Sequence, residues 1–269
     1  MKIGVTCALK SPRNFPIPLV NPDIFESIDY LAEKGFDAIE LHLLRSDEVD
    51  GEHISSYCSS RGIFVSSIGT GMAYVKEGLS LTSADKSTRD QAVGRIKEHL
   101  DLASILGCSV IIGSIRGCIS LYESYNKVNC RFLDVCSELC EYAEKGNGSL
   151  VIEAINRYET NYLNSATEVM KVIKQVKSKK LGVHLDTYHM NLEEKDWQSP
   201  VYLCGEHLLH IHIVDNTRRY PGAGLIDFEL FLQALKKIGY SHALTMECVP
   251  WPDGRKAVER GLAFLRDQE

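Results

Sequence analysis

The stretch Leu181-Gly-Val-His-Leu-Asp-Thr-Tyr-His-Met-Asn191 decides how the rest of the chain is read. It opens as a short apolar run after a lysine-rich helix end, the pattern of a strand buried on both faces of a parallel sheet. The run stops on Asp186, and His189 follows three residues later. In parallel α/β folds, ligand and catalytic groups collect at the carboxyl ends of the strands, so a strand ending on a carboxylate points toward chemistry. Taken alone, the same residues also fit a helix cap at Asp186 and a loop histidine at His189. The balance shifts because three other strands end in the same way.

On either side of this stretch the chain repeats one unit: helix, glycine, a residue or two, apolar strand. It recurs as Lys34-Gly35 before a strand at 38–43, Arg61-Gly62 before 63–68, Leu106-Gly107 before 109–113, Lys145-Gly146 before 149–154, and Ile238-Gly239 before 243–247. Each glycine is placed to take the left-handed conformation that closes a helix. Strands at 2–7, 181–185 and 208–213 complete a set of eight, each followed by a helical segment. A loop bearing Pro12, Pro16 and Pro18 leads to Asn21-Pro22, expected as an N-cap with proline at the first helical position. The longest helix is expected at about 83–106 and the last at about 255–267. Eight strand–helix units in 269 residues match a single (β/α)8 TIM barrel, which commonly takes about 250 residues, better than an open doubly wound sheet. No linker divides the chain, so one domain over 1–269 is expected.

Composition narrows the function classes. A hydrophobic content of 44% with 25% charged residues is ordinary for a globular chain with a sizeable core. The net charge of -6 offers no global field for nucleic acid or an anionic membrane. Nine cysteines are scattered singly, without a C-x-x-C pair, which fits reduced thiols rather than a disulfide framework or a thiolate zinc site. Cys136 and Cys140, four apart on an expected helix, are assigned to the core. The chain begins directly on a strand and has no apolar run long enough to span a bilayer, so a cytoplasmic protein is expected. G-x-G-x-x-G after a strand, a P-loop and G-x-S-x-G are all missing, which removes the simple nucleotide-binding and serine-hydrolase readings.

Four consecutive strands end on metal-binding side chains: Glu153, Asp186, His212 and Glu247. With neighbouring strands roughly 4.8 Å apart, four inward side chains can converge over half of a barrel mouth. Three carboxylates that close would raise one another's pKa, and a divalent cation relieves that repulsion. An oxygen-rich set with one imidazole suits Mn²⁺, Mg²⁺ or Co²⁺ better than a thiolate-type zinc site. His210 shares a face with His212 and His184 with Asp186, since side chains two apart on a strand point the same way; both are expected to fill the barrel below the ligands.

The stretches Glu153-Ala-Ile-Asn-Arg-Tyr-Glu159, Leu185-Asp-Thr-Tyr-His-Met-Asn-Leu-Glu-Glu194, His212-Ile-Val-Asp-Asn-Thr-Arg218 and Met246-Glu247 resemble the ketose 3-epimerases (D-tagatose and D-psicose 3-epimerases) of the xylose-isomerase-like barrels. The resemblance implies one divalent metal, Mn²⁺ first and Mg²⁺, Co²⁺ or Zn²⁺ as alternatives, held by Glu153, Asp186, His212 and Glu247. It implies Glu153 and Glu247 as the acid/base pair, and Glu159, His189 and Arg218 as the residues that grip the sugar. It also implies a homodimer or homotetramer acting on a small sugar. Inverting a carbon beside a ketone requires a proton to leave one face and return to the other. Two carboxylates with a metal-stabilised enediolate between the steps meet that need. Without the resemblance, Arg218 and Arg219 fit solvated loop arginines equally well.

The first half departs from the family. Gly113-Ser-Ile-Arg116-Gly-Cys118 stands where free-ketohexose epimerases carry an aromatic and small-residue loop. Arg116, just past a strand end, is a candidate for a phosphate or carboxylate of the substrate, or for an ion pair with a rim acid such as Glu123. Alternatives within the superfamily are an aldose–ketose, hydroxypyruvate-type or inosose isomerase and a dehydratase. Endonuclease IV shares the barrel, but needs further histidines where this chain has Ser67-Ile-Gly-Thr70 and Ile112-Gly-Ser-Ile115. A metal-free sugar-binding barrel is the remaining class.

Overall fold

The computed structural model describes residues 1–11 and 15–268, so Pro12 of the expected proline loop lies outside the described residues. The barrel strands are β1 (Lys2–Ala8), β2 (Ala38–His42), β3 (Phe64–Gly69), β4 (Ser109–Ile112), β5 (Ser149–Glu153), β6 (Leu181–Asp186), β7 (Leu208–His212) and β8 (Ala243–Met246). Each pairs in parallel with the next. β8 closes the ring on β1 through the register Lys2↔Ala243 to Val5↔Met246. A two-residue strand, Leu19–Val20, lies parallel to the end of β1. The result is a closed (β/α)8 barrel, whose parallel strands are buried on both faces and therefore rich in Val, Ile and Leu.

Local chemistry sets the helix boundaries. The helix Ala166–Val176 buries Ala166, Val169, Met170, Val172 and Ile173 on one stripe, and a reciprocal Ser165–Glu168 capping box starts it. The first helix runs Ile24–Lys34 and is capped by Asp23, whose side chain accepts from the Phe25 amide. The expected cap at Asn21 is therefore moved two residues on. Asn21 instead accepts from the Asp23 amide and donates to Glu26, steadying the cap from outside. Gly35 (φ +83) and Gly107 (φ +66) take the left-handed positions expected of them. Gly146 does not: its helix ends at Ala143 on a helical Glu144, and Gly146 is small because a Cβ there would lie 2.4 Å from Ser104 Oγ.

The nine cysteines are unpaired, and Cys136 and Cys140 are buried as expected. Among the described residues, no helix is long and apolar enough to cross a membrane.

Candidate active site

The cavity at the carboxyl end of the barrel has a volume of about 200 Å³. That is below the ~300–1,000 Å³ of pockets for drug-sized ligands, a scale that suits a small molecule. Glu153, Glu159, His189, His212, Arg218 and Glu247 line it, with Phe15, Ile111 and Ile155 supplying apolar wall. Six of the eight residues singled out from the sequence thus share one cavity, and Asp186 lies buried directly behind it.

Asp186 fills both roles open to it. One oxygen caps the helix Thr187–Glu193, accepting from the amides of Tyr188 (2.6 Å) and His189 (3.3 Å). The other, Oδ2, is buried without a hydrogen-bond partner and lies 3.6 Å from His212 Nδ1. Nδ1 is equally unpartnered and stands 3.7 Å from Glu247 Oε2. Glu153, Asp186 and His212 each offer a ligand atom within 4.8 Å of the others. Orphaned buried acceptors of this kind are costly unless something else satisfies them. The donor set therefore fits a hard divalent cation.

The electrostatics agree. Burial alone would lower the His212 pKa, but Glu40, Glu247 and Asp186 outweigh it and raise it well above the usual histidine range. Burial would raise Asp186, yet His189, His212 and Arg218 bring it down to about 2. Glu247 is raised by burial, which His212 and Arg218 only partly offset, whereas Glu153 is lowered because His189 and His212 overcome its burial.

The outer wall is cross-braced. Asn156 donates to His189 Nδ1 (2.6 Å), so the His189 proton sits on Nε2, facing Glu153 Oε1 at 3.5 Å. Arg218 donates to Glu159 Oε1 (3.0 Å) and to Glu247 Oε2 (3.3 Å), and its guanidinium lies 4.9 Å over the Tyr188 ring. Arg218 holds φ +58, a left-handed conformation uncommon for a non-glycine residue and concentrated at functional sites.

Arg116 is placed differently from either expectation. It has no exposed surface, does not line the cavity, and donates to the backbone carbonyls of Glu153, Tyr162 and Leu163. Glu123 pairs instead with Arg131 and Lys127. Arg116 braces the exit of β5, and its guanidinium is fully occupied there. Burial, the largest influence, pulls its pKa down to about 10.

His184 and His210 fill the barrel below His212, as expected. Sequence reasoning missed the group that unites this layer. Glu40, on β2, is completely buried and bonded to His42, His210, His212 and Ser67. Its signal was present: a glutamate inside the apolar strand Ala38-Ile-Glu-Leu-His42 must be paired if that strand is buried. His42 adds a wall residue 3.8 Å from Glu247 Oε1.

A family model described as xylose isomerase-like TIM barrel matches residues 28–268. A ketose 3-epimerase of Arthrobacter globiformis is 28% identical over 90% of this chain and 89% of its own length. An L-ribulose 3-epimerase of Methylomonas sp. (strain DH-1) is 30% identical, covering 80% of this chain and 75% of the relative. The crystal structure of D-allulose 3-epimerase from Methylomonas sp. in complex with D-allulose superposes with a TM-score of 0.84 at 23% identity, over 100% of this chain and 97% of that one.

Proposed function

We propose that this chain, which belongs to the xylose isomerase-like TIM barrel family, is a sugar epimerase that depends on a divalent metal and inverts C3 of a ketose. The observation that supports the metal-dependent reading is the close approach of Glu153, the orphaned Asp186 Oδ2 and His212 Nδ1, whose ligand atoms lie within 4.8 Å of one another, with Glu247 Oε2 3.7 Å from that same Nδ1.

Glu153 reaches the cavity from β5 and Glu247 from just beyond β8, with Asp186 and His212 between them along the arc. A sugar lying across this arc offers one face to each glutamate. One glutamate removes the C3 proton while the other, protonated, returns a proton to the opposite face. His189, with its proton on Nε2, and the Glu159–Arg218 pair orient the hydroxyls on either side of C3. One divalent ion, Mn²⁺ first and Mg²⁺, Co²⁺ or Zn²⁺ after it, held by Glu153, Asp186, His212 and Glu247, would polarise the carbonyl and the adjoining hydroxyl. Phe15, Ile111 and Ile155 keep water from the reacting carbon.

An uncharged ketose is favoured over a sugar phosphate or sugar acid. Among the described residues, Arg218 is the one arginine lining the cavity, and both its terminal nitrogens are bound to carboxylates. The family likeness also supports assembly as a dimer or tetramer, which light scattering of the purified protein tests.

The deciding experiment is NMR of products formed in D₂O with Mn²⁺ and a panel of ketoses, ketose phosphates and sugar acids. Deuterium at C3 of the inverted product is expected. Deuterium only at C1 or C2 would replace this reading with an aldose–ketose isomerase.

A further inference from the structure

Glu40 lies two residues short of the end of β2, with no exposed surface, and four donors converge on its carboxylate. His42 Nε2 lies 2.6 Å from Oε1, and His210 Nε2 lies 2.7 Å from Oε2, where Ser67 Oγ also donates. His212 Nε2 is nearly equidistant from both oxygens, at 3.1 and 3.2 Å. An ionised carboxylate only accepts, so the nitrogen of each imidazole that faces it carries the proton. Once the His212 ring is neutral, as an ion's approach requires, this leaves Nδ1 as the atom whose lone pair is available. Nδ1 is also the atom that lies toward Asp186 and Glu247 and has no hydrogen-bond partner.

We propose that Glu40 is a positioning residue for the metal centre: it fixes the tautomer and ring plane of His212 so that Nδ1 is presented to the ion. This rests on the metal reading above and extends it to a residue that touches neither metal nor sugar. A ligating imidazole held through its second nitrogen by a carboxylate is oriented and made more basic at the first. The geometry also explains why the residue must be an acid. Glutamine would place an amide NH₂ on one of the two oxygen positions. Because His212 Nε2 is within 3.2 Å of both, either orientation of the amide sets donor against donor. Two further imidazoles depend on the same oxygens, so the conflict cannot be relieved by rotating Glu40 away.

The test is titration calorimetry of Mn²⁺ into the metal-free full-length protein. Glu40→Gln is expected to weaken binding by roughly 10- to 100-fold. Glu40→Asp, which keeps two acceptors, should recover much of that loss. Circular dichroism establishes that each variant is folded. Nitrogen-15 spectra of the Zn²⁺-loaded wild type give a readout that a merely structural role would not move: the His212 proton is expected on Nε2, and Glu40→Gln should lose it to exchange. A folded Glu40→Gln variant that binds Mn²⁺ as wild type does overturns the proposal while leaving the metal reading intact. So does a wild-type His212 carrying its proton on Nδ1, a measurement that decides the matter even if the variant fails to fold. Wild-type protein that binds no divalent ion overturns both.

Discussion

The two halves of the barrel wall face one cavity but contribute to it differently. β5 to β8 deliver reactive groups at or just past the last residue of each strand, where Glu153, His212 and Glu247 retain 7, 2 and 6% exposure. β2 and β3 also place groups deeper: Glu40 and Ser67, like Asp186 of β6, retain none, while His42 at the end of β2 reaches the wall. The outer groups line the cavity; the deeper ones hold the outer ones in place. The first half also makes room. A Cβ on Gly69 would fall 2.5 Å from His42 Nε2, and one on Gly113 would fall 2.7 Å from Glu153 Oε2. In the first half, His42 at the end of β2 is the one titratable group that reaches the cavity wall among the described residues.

The sharpest test of that division is the glutamate pair. Glu153→Gln and Glu247→Gln are each expected to lower kcat by roughly 10²- to 10⁴-fold. Because both are also proposed as ligands, the informative result is asymmetric exchange: a variant that still binds Mn²⁺ and washes deuterium into one C3 epimer without converting it. If both variants retain metal and epimerise near the wild-type rate, the two-carboxylate mechanism is wrong.

Arg116 should behave as support even though it sits just past a strand end. Arg116→Ala strips charged hydrogen bonds from three buried carbonyls and is expected to cost about 3 kcal/mol in urea unfolding. Selectivity between neutral and phosphorylated ketoses should not change. A KM that rises only for charged substrates would return Arg116 to the cavity.

Removing the metal should act on the second half. At a hundredfold excess over its Kd, a bound ion stabilises the fold by about 2.7 kcal/mol, so chelation should lower Tm and abolish activity together. A Tm indifferent to Mn²⁺ would argue against the four-residue centre.

The smallest expected effect is Gly69→Ala, which crowds His42 from the supporting side. Overpacking of this kind costs on the order of 1–3 kcal/mol, and kcat/KM should fall by tenfold or less with metal binding retained. A larger kinetic loss than that of the glutamate variants would reverse the division drawn between the halves.

Much of this molecule was legible before folding, for identifiable reasons. Helix–glycine–strand repetition is a local pattern, and it announced eight units because Gly35 and Gly107 close their helices by backbone conformation alone. Glu153, Asp186, His212 and Glu247 stood out because strand periodicity places their positions at one end of a parallel sheet whatever else surrounds them. Local pattern misled where the outcome depends on partners distant in sequence. Arg116 sits just beyond β4, yet the carbonyls that claim it lie 37 to 47 residues away. Glu40 reads as one acid in an apolar strand until closure of the barrel brings His212, 172 residues distant, against it. Sequence alone thus determined which groups the strands carry and at which end. Only the tertiary structure decided which of them face the cavity and which hold their neighbours, because that depends on where each polar atom finds its partner once water is excluded.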